Sequence, residues 1–262
     1  MKVRENSSWA LVIPTSMGIR ITPADRQPVH ASRLFTMSVT SAESNVGSVS
    51  SFLGLPVRIL TGFVRDSPIA ECIRSNLRQR NMTYEGPEFE QDSPWGFRHQ
   101  INIADSGFGG RAPRVYNDRA GEVGRELKAA DFDLDRIFAV EGAAIVHISG
   151  LFAALSPGTG EFCLAMAKTA REQGTLVSFD LNYRASFWKG RQGELRRLFT
   201  AIAGLSDILI GNEEDFQLSL GIPGPEAGGT DLGAKIDHFK EMIGKARSSF
   251  PGTSVFATTL RE

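Results

Sequence analysis

Directly after an apolar run, the segment Ser178-Phe179-Asp180-Leu181-Asn182-Tyr183-Arg184 brings together an acid, an amide and a guanidinium. In an open α/β sheet, ligands bind beyond the carboxyl ends of the strands, so polar side chains at that edge are placed to meet one. An arginine fork there suits a phosphate or a carboxylate, because guanidinium donates paired hydrogen bonds. A structural Asp180–Arg184 ion pair capping a turn accounts for the same spacing. A second cluster, Gly211-Asn212-Glu213-Glu214-Asp215, follows the apolar Leu209-Ile210. Asn212 is a good helix N-cap, and the carboxylates complement a positive helix end. Alternatively, Asn212 and a carboxylate help hold hydrated Mg²⁺ beside nucleotide phosphates. In a third cluster, Thr40-Ser41-Ala42-Glu43-Ser44-Asn45-Val46-Gly47, small residues admit close backbone approach and Glu43 and Asn45 offer bonds to hydroxyls. A plain helix start explains it equally well. A fourth, Arg114-Val115-Tyr116-Asn117-Asp118-Arg119, alternates like a β-ribbon whose polar face meets either a cleft or water.

Several common chemistries leave no trace. The phosphate loop G-x-x-x-x-G-K-[ST], the dinucleotide fingerprint G-x-G-x-x-G after a strand, and the nucleophile elbow G-x-S-x-G are all missing. Histidines 30, 99, 147 and 238 are scattered, and His147, inside an apolar run, is expected to be a satisfied core histidine. Cys72 and Cys163 sit among apolar residues without metal spacing, as reduced core thiols of a cytoplasmic protein do. No metal-ligating set stands out.

The elements that would position these clusters alternate between strands and helices. Pro56–Leu60, Ala144–Ile148, Leu176–Phe179, Asp207–Ile210 and Ser254–Thr258 are expected strands. Ser67-Pro68 opens a helix with Ile69, Cys72, Ile73 and Leu77 inward, and Ser156-Pro157 opens another with Phe162, Ala165, Met166 and Ala170 inward, stopped by Gly174. Further helices are expected to run from the Thr40 cluster to Leu53, from about Asn212 to Leu220, and from about Asp231 to Ala246, the last with Phe239, Met242, Ile243 and Ala246 on one face. This rhythm predicts an α/β fold, a doubly wound, mostly parallel sheet with helices on both faces. Residues 17–40 and 93–121 break it. Their polar alternation suits a small, half-exposed β-structure outside the main sheet, with Ser106–Arg111 as a flexible hairpin tip or, equally, a plain surface loop. Residues 222–230 form a Pro/Gly loop too short to link domains.

The 262 residues suit one large α/β domain, 1–262, able to bury a core without staples. Hydrophobic residues make up 41% and charged residues 23%, ordinary for a globular protein. With 29 basic and 30 acidic side chains, neither nucleic acid nor an anionic membrane is the expected partner. No run reaches the roughly 20 apolar residues of a membrane span. Self-association is left open.

Together the clusters resemble the ribokinase-like sugar kinase family, in its 2-keto-3-deoxygluconate kinase branch. Gly18–Pro23 looks like that branch's opening strand, and Ala42-Glu43-Ser44-Asn45-Val46 resembles its Ala-Glu-x-Asn-Val sugar motif. Leu53–Val57 matches the helix exit that follows, and Arg114–Arg119 sits where the family places a lid strand. Asp180-Leu181-Asn182-Tyr183-Arg184 with Trp188 is close to Asp-x-Asn-x-Arg…Trp, and Asn212–Asp215 resembles Asn-x-x-Glu. The resemblance implies a doubly wound domain with a β lid at about 17–40 and 93–121. It also implies ATP-dependent phosphorylation of a sugar-acid hydroxyl, with Mg²⁺. Ser41, Ala42, Glu43, Ser44, Asn45, Asn117 and Arg119 would bind the sugar acid. Asn182, Tyr183, Arg184 and Asn212 would lie towards ATP. Three departures stand out: Thr40-Ser41 replaces a Gly-Gly, only Asp66 and Pro68 of Arg65–Ala70 match a Gly-Asp-Asp-Pro-Phe-Gly, and Asp215 replaces Glu. The family's Gly-Ala-Gly-Asp does not occur. The expected catalytic Asp therefore lies beyond Glu262, in a longer kinase of which this chain is a C-terminally incomplete part.

Overall fold

The structure, a computed structural model, describes residues 2–224 and 232–259. Residues 225–230 of the expected Pro/Gly loop, and the expected helix start at Asp231, lie outside the described residues. The chain divides into two compact units, one of Met1–Pro14 with Lys128–Glu262 and one of Thr15–Leu127.

The first unit contributes strand β1 (Trp9–Pro14) before the chain enters the second. There follow β2 (Gly18–Pro23), β3 (Phe35–Thr40), helix α1 (Ala42–Phe52), β4 (Val57–Leu60), β5 (Phe63–Val64), α2 (Pro68–Gln79), β6 (Thr83–Glu85), β7 (Glu88–Phe89), β8 (Gln100–Asp105) and β9 (Arg114–Asp118). The two polar stretches form a separate four-stranded sheet, in the order β3-β2-β8-β9, as their alternation predicts. Phe108 and Arg111 bridge at the expected hairpin tip. Partners across a ladder share a face, because side chains alternate with period two. Ser38, Arg20, Asn102 and Asn117 therefore form one polar row across the four strands. Ile19 and Val39 occupy the opposite face and are buried. Gly18 sits where a Cβ would fall 2.1 Å from Gln100 Cγ, so only glycine lets the Gln100 side chain lie flat on β2.

Helix α2 starts at Ser67-Pro68 as expected, but Ser67 makes no side-chain cap bond. Its buried line is Ala70, Ile73 and Leu77. Ile69 and Cys72, expected inward, are half-buried on its flank, because the i, i+3, i+7 stripe centres on the smaller Ala70.

Back in the first unit come β10 (Ala143–Ser149), α3 (Gly150–Ala153), α4 (Pro157–Glu172), β11 (Leu176–Asp180), α5 (Ala185–Trp188), α6 (Gln192–Ala203), β12 (Ile208–Ile210), α7 (Glu213–Leu220), α8 (Leu232–Ser249) and β13 (Val255–Ala257). Its strands are parallel in the order β13-β12-β11-β10-β1, alternating with helices as the sequence predicts. Strand β1, a short apolar run closed by Pro14, is not among the expected strands. On α4, Cys163 and Ala167 join Phe162, Met166 and Ala170 in the core, while the expected Ala165 is half-buried. On α8, Phe239, Met242 and Ala246 are buried and Ile243 is half-buried. Phe179, Phe199 and Trp188 stack edge-on beneath the carboxyl ends of the strands. Ser149, Asp180, Ile210 and Ala257 are in register, so four strand ends finish in a row.

Candidate functional site

In the unit Thr15–Leu127, the dipeptide Thr15-Ser16 is a hub. The Thr15 and Ser41 hydroxyls lie 2.6 Å apart, and both donate to Glu43 Oε2, at 2.8 and 2.9 Å. Ser41 also caps α1, its Oγ accepting from the Ser44 N–H at 3.0 Å. Glu43 is 2% exposed, and its second oxygen, Oε1, has no partner among the described residues. The helix N-terminus favours the charge in this place. On the other side of the hub, Ser16 Oγ donates to Glu122 Oε1, and Arg119 Nη1 donates to both oxygens of Glu122, at 2.7 and 2.9 Å. The Gln100 amide reaches the Ser16 carbonyl at 3.5 Å.

Of the residues expected on the sugar side, the fold thus gathers Ser41, Glu43 and Ser44 into one buried cluster, with Arg119 joined to it through Ser16. Ala42 and Asn45 are exposed on α1, and Asn117 is exposed on β9. Thr15, Ser16, Gln100, Asn102 and Glu122 were missed by the sequence reading. Gln100 and Asn102 are 3% and 6% exposed, and Gln100 Oε1 and Asn102 Oδ1 have no partner among the described residues. The signal available for Glu122 was its i, i+3 spacing from Arg119. Thr15 and Ser16 carried none, since their role depends on where β2, α1 and the Arg119 turn meet.

In the other unit, the Asp-x-Asn-x-Arg segment leaves the end of β11. Asn182 holds φ +35°, a left-handed conformation that asparagine tolerates better than most residues. Its N–H donates to Asp180 Oδ1 at 3.2 Å and its Nδ2 to Ser149 Oγ at 3.1 Å, so it ties the ends of β10 and β11 together. Arg184 is exposed and donates from Nη1 to the Tyr183 carbonyl. Tyr183 packs on Trp188, with ring centroids 5.1 Å apart. Asn212 and Asp215 cap each other: Asp215 N–H donates to Asn212 Oδ1, and Asn212 N–H to Asp215 Oδ2, at 2.9 and 2.8 Å. Asp215 Oδ1 accepts the Tyr183 N–H at 2.8 Å. The capping reading of this motif is therefore the one its geometry displays, and Asp215 also clamps the segment carrying Tyr183 and Arg184.

Among the described residues, no three of His, Cys, Asp or Glu come together as a metal cage. Glu213 is buried and its Oε2 has no partner among the described residues. That suits Mg²⁺ as it is ordinarily bound, through waters, one or two carboxylates and substrate phosphates. His147 is the satisfied core histidine expected, its Nδ1 3.0 Å from Ser178 Oγ.

The fold is the ribokinase-like α/β fold. The crystal structure of a 2-dehydro-3-deoxygluconokinase from Thermotoga maritima matches it with a TM-score of 0.83 at 25% identity, covering 97% of this chain and 72% of that one. The chain belongs to the pfkB family of carbohydrate kinases, whose model matches residues 122–256, more than half of its length. A 5-dehydro-2-deoxygluconokinase of Clostridium perfringens is 36% identical over 222 residues, 83% of this chain and 62% of that protein. A 2-dehydro-3-deoxygalactonokinase of Haloferax volcanii is 28% identical over 209 residues, 79% of this chain and 61% of its own length. The chain thus spans about three-fifths of the length of these curated relatives. Fold and family agree with the resemblance drawn from the sequence. No helix among the described residues is long and apolar enough to cross a membrane.

Proposed function

We propose that this chain carries sugar-binding and nucleotide-binding parts of an ATP-dependent kinase that phosphorylates a hydroxyl of a sugar acid. The first candidate is 2-keto-3-deoxygluconate, converted to its 6-phosphate. The observation that carries this is the buried cluster around Thr15-Ser16. It presents acceptors that meet no donor among the described residues, Glu43 Oε1 and Gln100 Oε1, near a guanidinium, Arg119, with Asn102 Oδ1 likewise unmatched two residues along β8 from Gln100. A buried acceptor left unmatched is costly, and the hydroxyls of a polyol are donors that match it. A carboxylate on the same molecule suits Arg119. All three relatives above are named as kinases of dehydro-deoxy sugar acids.

In the other unit, Asn182, Tyr183 and Arg184 stand at the ends of parallel strands, where an α/β sheet takes its ligands, and Arg184 offers a fork to phosphate. Asn212 holds the adjoining turn, and Glu213 is the carboxylate suited to hydrated Mg²⁺ accompanying ATP. Such an ion neutralises charge developing on the transferred phosphoryl group. The protein's own part is binding: hydroxyls and carboxylate of the sugar acid at the Thr15-Ser16 cluster, and phosphates at the ends of β10 and β11.

Calorimetric titration with 2-keto-3-deoxygluconate, fructose and a non-hydrolysable ATP analogue tests this, alongside a coupled ADP-release assay over a panel of sugars and sugar acids. The sugar acid should bind at least tenfold more tightly than fructose, since a charge-assisted bond contributes about 1.5–3 kcal/mol. Equal affinity for the two would make the chain a kinase for neutral sugars. Binding of sugar acid without any binding of the ATP analogue would leave a sugar-acid-binding module.

A further inference from the structure

The Arg119 turn contains a carboxylate that the proposed chemistry does not use. Glu122 is 1% exposed and its side chain is wholly buried. Burying a carboxylate is expensive unless it is paired and hydrogen-bonded. Here the partners are Arg119 Nη1, which donates to both oxygens, and the buried Ser16 hydroxyl, which donates to Oε1.

The turn does not depend on that carboxylate to form. Its backbone closes through Glu122 N–H to the Arg119 carbonyl at 3.3 Å and Val123 N–H to the Arg98 carbonyl at 2.9 Å. Arg98 also donates from Nε to the Ala120 carbonyl at 2.6 Å and pairs with Asp118. Gly124 is seated so tightly that a Cβ there would lie 2.0 Å from Ser16 Oγ, which fixes the distance between the turn and Ser16. A turn already pinned by its backbone and Arg98 leaves the Glu122 side chain one evident task, the guanidinium of Arg119. Arginine has a long, rotamer-rich stem and a planar head, so holding it in one orientation lowers the cost of binding an anion. Glu122 places both of its oxygens on Nη1, which anchors that end of the group.

We infer that Glu122, braced by Ser16, is a positioning residue that orients the Arg119 guanidinium for the carboxylate of the sugar acid. This rests on the sugar-acid reading above.

The test is calorimetric binding of 2-keto-3-deoxygluconate and of the ATP analogue to the full chain and to Arg119→Ala, Glu122→Gln, Ser16→Ala and Arg119→Ala/Glu122→Gln, with melting temperatures for each. Glu122→Gln removes the charge and replaces one of the two oxygens on Nη1 with an amide donor, leaving one acceptor. It should raise the Kd for the sugar acid roughly tenfold to a hundredfold, a charge-assisted bond's worth, and leave the ATP-analogue Kd unchanged. Ser16→Ala, which keeps the ion pair and removes its brace, should raise the sugar-acid Kd by a smaller factor and keeps the test open should Glu122→Gln not fold. In the Arg119→Ala background, Glu122→Gln should add nothing further. A lowered melting temperature with an unchanged sugar-acid Kd in Glu122→Gln would make the residue merely structural. Tighter binding in Glu122→Gln would make it a mask for the arginine's charge. Either result overturns the inference while leaving the role of Arg119 intact. An unchanged Kd in Arg119→Ala, or no sugar-acid binding by the unaltered chain, would overturn the sugar-acid reading and the inference with it.

Discussion

Arg184 is exposed and bonded only locally, to the carbonyl before it. Replacing it with lysine should therefore leave stability within about 0.5 kcal/mol, as exposed substitutions do. The paired donor geometry is lost, so affinity for an ATP analogue should fall several-fold. Unchanged nucleotide affinity by titration calorimetry would remove Arg184 from the phosphate side. His147 gives a prediction on pH. Burial pushes it from the ordinary 6.5 down to about 4. Between those values the unfolded chain takes up a proton that the folded chain refuses. The contribution to stability is therefore full above about pH 6.5, falls as the pH drops towards 4, and changes no further below that. His99, also held near 4 by burial, acts in the same window. There the Val64 N–H donates to Nε2, so Nδ1 carries the proton and donates to the Met17 carbonyl, and a second proton would break the first bond. Melting curves from pH 7 to 4 should show a steeper loss for the unaltered chain than for His147→Gln. Parallel curves would show that His147 is protonated in the folded state.

At the scale of elements, the exit of β11 and the start of α7 are joined by one carboxylate, Asp215, which accepts N–H groups from Tyr183 and Asn212. Asp215→Asn puts a donor against one of them. The cost should be about 1–3 kcal/mol, that of an unmet buried group, with faster amide exchange at Tyr183 and Asn212. A variant as stable as the parent would show that the caps alone hold the two segments. The sequence disclosed half of this arrangement: Asn212 as cap followed by three acids is legible as a helix start, whereas the reach of Asp215 to Tyr183 is not, because the two stand 32 positions apart, with α5, α6 and β12 between them. For the same reason, Ser41 was legible as a helix-start residue but Thr15, its partner 2.6 Å away, was not.

For the whole molecule, the expected sugar and nucleotide residues fall in separate compact units, Thr15–Leu127 and the remainder. Hydrogen exchange should reflect that separation. Sugar acid should slow exchange around 15–16, 41–44 and 119–123, while an ATP analogue should slow it around 180–184 and 211–215. Protection by sugar acid confined to the second group would place the sugar in the wrong unit.

The alternation of apolar runs with capped helices determined the α/β architecture, because burial of strands on both faces and helix-end chemistry are both written in local sequence. Clusters of Gly, Asn, Asp and Arg after those runs located the strand edges that carry polar chemistry. Tertiary structure decided which members of each cluster meet. Glu43 and Arg119 lie far apart along the chain, and the Thr15-Ser16 dipeptide, with no motif of its own, links them. Hydrogen bonds between distant residues depend on where strands and turns cross in space, and no local spacing encodes that crossing.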